Sequence, residues 1–247
     1  VTPVLFHIGP YAVYTYGVLA AAGMLTVFMM LPSRAARAGV PLPVAMDMLF
    51  FLFVAGILGA RALFVLQHFD DYAGRPLDIL SLREGGLVWY GGFIAAATFG
   101  SAYAVVRRWP LLKLCDLFSP LAALAHGVGR LGCFLNGCCW GRVTDSSWGV
   151  LFPGEEFARH PVQLYEAGAL FALALWLDRL STRPGRREGS TFTAYLGAYA
   201  AVRFGLEFLR GDQMPYAGLT LPQWTSLAFA AGAVFLYLSI RRRGSGH

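Results

Sequence analysis

HGVGRLGCFLNGCCWGR, His126 to Arg142, sets glycine, cysteine and arginine side by side in a chain that is otherwise mostly apolar. Readings borrowed from soluble proteins fit it poorly. Gly127, Gly129 and Gly132 satisfy G-x-G-x-x-G, but that pattern holds a dinucleotide only after a strand, with an acidic residue about 20 positions further on. The preceding LFSPLAALA, Leu117 to Ala125, has no β-branched residue. His126, Cys133, Cys138 and Cys139 could supply four soft ligands, yet Cys138 and Cys139 are adjacent, whereas structural zinc sites carry spaced cysteine pairs on separate knuckles. A bridge between those two neighbours is sterically awkward. The preferred reading of the cysteines is as small buried hydrophobes, so neither a metal nor a cofactor is expected.

The composition says what surrounds this run. Of 247 residues, 57% are hydrophobic and only 14% charged, too few charges to coat a water-soluble fold. Tyr11 to Leu31, Leu87 to Val106 and Leu219 to Ile240 contain no Asp, Glu, Lys or Arg. Each is close to the ~20 residues that a helix needs to cross hydrocarbon. Val44 to Leu66, Leu114 to about Asn136, Val162 to Leu177 and Thr191 to Leu209 are further spans with a few polar residues. The expectation is an all-α polytopic membrane protein of about seven transmembrane helices, forming a single integral-membrane domain over residues 1–243. The last four residues, 244–247, read as a tag remnant or disordered tail.

The cations give that bundle a direction. Arg34, Arg37, Arg107, Arg108, Lys113, Arg179, Arg183, Arg186, Arg187 and Arg241 to Arg243 fall on one side of the predicted spans. Arg75, Arg83, Arg142, Arg159 and Arg210 fall on the other. By the positive-inside rule the N-terminus is outside and the C-terminus cytoplasmic. The formal charge of +6 is then mainly a topology signal, and nucleic acid is not an expected partner because the basic residues are spread over short loops. No basic segment precedes the first span, which therefore reads as a retained anchor and not as a cleaved signal.

The informative residues are the polar ones inside the spans. Arg130 lies in or near hydrocarbon, where an arginine costs ~2.5–3.5 kcal/mol on insertion scales, so an anion should meet it. Glycines that loosen or break the helix there would free N–H groups and let a bulky anion approach. Tyr195, Tyr199, Arg203 and Glu207 recur at intervals of four, a polar stripe along one helix face. Arg203 ahead of Glu207 is the less favourable order for a simple helix pair, leaving an ion pair between helices or an anion site, which can coexist. In HPVQLYEA, His160 to Ala167, Pro161 suits a first helical turn and Gln163 and Glu166 share a face. His160 then stands at the lip of the polar interior as a candidate base. In GGLVWYGG, Gly85 to Gly92, Trp89 and Tyr90 are flanked by glycines; such aromatics also serve as headgroup anchors, as Tyr14 and Tyr16 could.

GRLGCFLNGCCWGR, Gly129 to Arg142, resembles the signature segment of the prolipoprotein diacylglyceryl transferases of bacterial inner membranes. HPVQLYEA, VRFGLEFLRGD, GGLVWYGG and the Tyr14 to Gly17 stretch are similar to four further motifs of that family, in the same order. The resemblance spans nearly the whole chain, and it implies seven helices with the N-terminus outside and the active site toward the outer leaflet. It implies transfer of the diacylglyceryl group of phosphatidylglycerol to the lipobox cysteine of preprolipoprotein signal peptides, with release of glycerol phosphate. Arg130 and Arg203 would grip and activate the lipid phosphate. Tyr16, Asn136, Gly137, Gly141, Gln163, Glu166, Tyr199 and Glu207 would shape the headgroup pocket or orient those arginines.

Three positions depart from the best-known members. They carry histidine where Tyr90 stands, asparagine where Cys133 stands and glutamate where Cys138 stands. A phenol, with a reference pKa of ~10, is a poorer base than imidazole at neutral pH. Either the family histidine is not essential as a base, or His160, or Arg203 acting electrostatically on the thiol, takes over from it, or the chain is a divergent relative with slower or different chemistry; Tyr90 stays beside Arg130, Arg203 and His160 as a catalytic candidate. The same departures leave two other functions open: a phospholipid-headgroup enzyme with another acceptor, and a non-catalytic lipid-binding protein.

Overall fold

The structure is a computed structural model that describes residues 2–9, 11–72, 74, 78–79, 85–211 and 214–243. Arg75, Arg83 and the tail 244–247 lie outside the described residues. A short hairpin, β1 (Val4–Ile8) and β2 (Tyr11–Tyr14), leads into α1 (Thr15–Ala38), α2 (Leu42–Gln67) and the single turn α3 (Phe69–Tyr72). Then follow α4 (Trp89–Val106), α5 (Leu111–Asn136), α6 (Val162–Ser181), α7 (Ser190–Glu207) and α8 (Leu221–Arg243). Helices α1, α2, α5 and α8 are long and apolar enough to cross a membrane, and the chain is a helical membrane protein. The first span starts later than the sequence suggests. Tyr11 to Tyr14 pairs antiparallel with β1, and its two tyrosines and one valine suit a strand.

The described chain forms two compact units, residues 1–34 with 115–247, and residues 35–114. In the second, α2 and α4 cross through small residues. A Cβ on Gly59 would strike Ala95 Cβ, and one on Gly92 would come within 2.8 Å of the Gly56 carbonyl oxygen. Glycines in this motif therefore serve close helix packing, the usual device where lipid offers no hydrophobic drive. Arg61, buried within α2, donates from Nε to Ile79 O at 2.8 Å, from Nη2 to Asp78 O at 2.8 Å and from Nη1 to Gly85 O at 3.0 Å. It fixes the approach to Trp89 and Tyr90 at the start of α4.

In the first unit α5, α6 and α7 share a core of Ala123, Leu170, Leu173, Ala174 and Leu177, with Tyr195, Ala198 and Tyr199 against it. At the Gly189 end of α7, Asp116 accepts the N–H groups of Gly189 and Phe192 at 2.7 Å each and pairs with Arg186, satisfying backbone donors that a helix start leaves open. Arg34 of α1 pairs with Asp178 of α6 at 2.6 Å.

The glycines of the signature run behave differently from the sequence expectation. Helix α5 is continuous from Leu111 to Asn136, through Gly127, Gly129 and Gly132. Gly127 receives Phe171, Gly132 receives Tyr16, and Gly129 faces open space. They are packing and clearance positions, and the chain leaves the helix only at Gly137.

Candidate active site

Glu166 is the point where three helices meet. Gln163 and Glu166, one turn apart at the start of α6, are 1% and 2% exposed. Arg130 Nε of α5 lies 2.9 Å from Glu166 Oε2. The Tyr199 hydroxyl of α7 donates to Oε1 at 2.8 Å, and His126 Nε2 stands 3.7 Å from the same oxygen. The His126 and Tyr199 rings meet edge to face at 5.2 Å. A carboxylate this deep would be unstable alone; the guanidinium and phenol supply its partners.

A second carboxylate repeats the arrangement one turn along. Glu207 is buried and lies 2.8 Å from Arg203 Nη1 and 3.9 Å from Arg210 Nε, while the Thr220 hydroxyl donates to it at 2.8 Å. Arg203 follows Tyr199 by one turn of α7, so the two carboxylate clusters adjoin as one charged patch. Arg130 and Arg203 are thus each oriented by a buried carboxylate, Glu166 and Glu207. Arg130 and Arg203 keep 18% and 14% of their side chains exposed, so this patch is open to a ligand.

The loop after α5 closes the patch. Gly137, at φ 73°, takes the left-handed conformation, its N–H donating to Phe134 O and that of Cys138 to Cys133 O at 3.1 Å each. That pair of bonds is a Schellman cap, which explains glycine after Asn136. Gln163 Nε2 holds the next turn by donating to Cys138 O at 2.6 Å. Gly141 N donates to His160 O at 2.9 Å and Arg142 N to Leu209 O at 2.8 Å, tying this loop to the start of α6 and the end of α7. Arg159 lies 4.0 Å over the Trp140 ring and pairs with Glu155. A Cβ at Gly141 would sit 2.6 Å from Leu209 O and 2.8 Å from Val162 Cγ1. Gly141→Ala is therefore expected to lower the thermal stability of the purified protein by about 1–3 kcal/mol, read as a lower Tm.

A model of the prolipoprotein diacylglyceryl transferase family matches residues 3–239. The chain belongs to this family. Among family members, the phosphatidylglycerol-prolipoprotein diacylglyceryl transferase of Bordetella bronchiseptica is 34% identical over 257 aligned residues, covering 98% of this chain and 96% of that protein. The proteins of the same name from Clostridium tetani and Cupriavidus metallidurans are each 34% identical, covering 95% and 99% of this chain and 96% and 95% of their own lengths.

Against this transferase family, most of the residues singled out in the sequence fall in one place. Arg130 and Tyr199 share the Glu166 carboxylate, Arg203 and Glu207 form the adjoining pair, and Gly137 and Gly141 lie in the loop that follows Asn136 and is held by Gln163 of α6. Tyr16 packs at Gly132, and His160 presents Nδ1 to the Tyr165 hydroxyl at 3.3 Å. Tyr90 belongs to the second unit, where its ring meets Trp89 edge to face. The sequence reading gave His126 no role in the anion site and left out Arg210 and Thr220. Arg210 could have been found from its i+3 spacing after Glu207; Thr220 lies in another segment and gives no such signal.

Proposed function

We propose that the chain transfers the diacylglyceryl group of phosphatidylglycerol to the lipobox cysteine thiol of preprolipoproteins, forming a thioether and releasing glycerol phosphate. The observation that carries this reading is Arg130, inside the helices, paired with Glu166 and bordered by Tyr199 and Arg203. As the substrate sulfur attacks the glycerol carbon bearing the phosphate, the C–O bond breaks and its electron pair passes to the phosphate oxygen. The guanidiniums of Arg130 and Arg203, already oriented by carboxylates, then stabilise the second negative charge without reorganising. The buried Oε1 of Gln163, which has no hydrogen-bond partner among the described residues, suits a hydroxyl of the glycerol headgroup. Tyr16, Asn136, Gly137, Gly141, Gln163, Glu166, Tyr199 and Glu207 border or orient this pocket.

The attacking thiol must lose its proton, and His160 is the acceptor, with Tyr90 as the weaker candidate. His126, facing Glu166, serves as a positioning residue. His160→Gln is expected to lose activity at neutral pH and to regain part of it as pH rises toward the ~8.5 of a free thiol, where the substrate supplies its own thiolate. A pH–rate profile parallel to the parent's would remove His160 from the role. Cys138→Ser and Cys139→Ser are expected to keep most of the transferase activity in the same assay, because the sulfur that becomes lipidated arrives with the peptide.

The chain is further proposed to cross a bacterial inner membrane seven times, with the N-terminus outside, the C-terminus cytoplasmic and the pocket toward the outer leaflet. The support is the one-sided distribution of Arg and Lys between the spans. The decisive assay incubates purified protein with phosphatidylglycerol and a lipobox peptide and looks for the diacylglyceryl thioether by mass spectrometry. Product with a cysteine peptide and none with its serine counterpart is the expected result. Lipid consumption without thioether would indicate another acceptor, and tight lipid binding without turnover a non-catalytic protein.

A further inference from the structure

The cysteines of the signature run have a second property that their spacing hides. Cys133 lies at the third position before the α5 cap and Cys138 is the second residue beyond it. The Schellman bonds bring these two positions together, as that cap habitually does. The Cys138 thiol lies 3.6 Å from Cys133 O. Cys139 then takes φ 64°, a left-handed conformation that a residue with a Cβ adopts only under constraint. The outcome is three sulfur atoms within 4.8 Å of one another, at partly buried positions. Adjacent cysteines that look unsuited to a metal in the linear sequence converge because of a helix cap and one strained residue.

We infer that Cys133, Cys138 and Cys139 form a trithiolate site for a soft d10 cation, Zn²⁺ or Cu⁺, that staples the loop onto the end of α5. Sulfurs this close leave a point within about 2.8 Å of all three, so contraction by about half an ångström reaches the ~2.3 Å of a zinc–thiolate bond. Thiolates select Zn²⁺ and Cu⁺ over hard cations. Binding releases the three thiol protons to solvent and leaves an anionic complex. Gln163 Nε2 on Cys138 O supplies the outer hydrogen bond that holds a ligand-bearing turn in place.

The test uses the full-length protein in detergent, reduced, stripped with a chelator, and then exposed anaerobically to Zn²⁺ or to Cu⁺ and desalted. The expected result is about one metal ion per chain by mass spectrometry in one of the two arms, with Cd²⁺ giving a thiolate charge-transfer band in the ultraviolet. The triple variant Cys133→Ser, Cys138→Ser, Cys139→Ser should retain none, while keeping the parent's helical circular dichroism. Cys139→Ser alone should weaken retention at least about tenfold, on the scale that loss of one supporting group already reaches. No retention by the parent, or equal retention by the triple variant, would overturn the site. So would a disulfide between two of the three in protein taken directly from membranes. The readout needs neither lipid nor peptide, so its failure leaves the transferase reading standing and the converse also holds.

Discussion

Arg130→Ala is expected to reduce thioether formation from phosphatidylglycerol and a lipobox peptide by about 10²–10³-fold, the range for removing one preorganised charge donor from a developing anion. Its guanidinium is fixed by Glu166 at 2.9 Å and keeps 18% of the side chain exposed, so it can face both its carboxylate and a phosphate. Lysine would supply the charge without the planar fork, and Arg130→Lys should recover only part of the loss. Arg203→Ala should fall in the same range, because Arg203 is oriented by Glu207 as Arg130 is by Glu166. Single-turnover rates with saturating lipid would separate loss of chemistry from loss of binding. If both alanine variants turn over at the parental rate, the phosphate is held elsewhere.

Glu166→Gln carries the largest expected cost in stability. The side chain is 2% exposed, and it holds Arg130 and Tyr199 while facing His126. Glutamine keeps the shape and removes the charge, stranding a guanidinium in a low-dielectric interior; breaking a buried pair in this way costs about 3–5 kcal/mol. The variant should unfold at a markedly lower temperature than the parent in the same detergent. Replacing both partners, as in Arg130→Met with Glu166→Leu, should restore much of that stability, since the desolvation cost disappears with the charges. It should restore no activity. A stable, inert double variant beside an unstable single one would show that the ion pair is kept for chemistry and not for folding.

How far the sequence discloses this arrangement depends on the range over which each signal acts. Each of the seven long apolar or nearly apolar segments contains a helix, and four of these helices, α1, α2, α5 and α8, are long and apolar enough to cross a membrane; the demand of hydrocarbon for a continuous run of ~20 residues is written locally. Arg130, Arg203, Glu166 and Glu207 stand out because charge inside such a run is costly enough to need a reason. What stays hidden is which charge meets which. The cross-helix bond from Tyr199 to Glu166 and the link from Thr220 to Glu207 join segments with no sequence relation. Local conformation misleads in two places. Tyr11 to Tyr14 is apolar enough to extend a helix yet pairs with β1, and the glycines of α5 admit neighbouring side chains where they suggest a break. The cysteine cluster is a third case, since residues five apart become neighbours only once the cap is known.

The main-chain ties from Gly141 to His160 and from Arg142 to Leu209 have a mechanical corollary. They join the end of α5, the beginning of α6 and the end of α7 into one plate, so that separating any of the three ends breaks main-chain hydrogen bonds. A two-tailed lipid that entered between those three ends would have to break both ties. The expected doorway for its tails is at members outside the plate, α1 or α8 within this unit. Cross-linking either of these to the plate should trap cargo inside while leaving the charged patch intact.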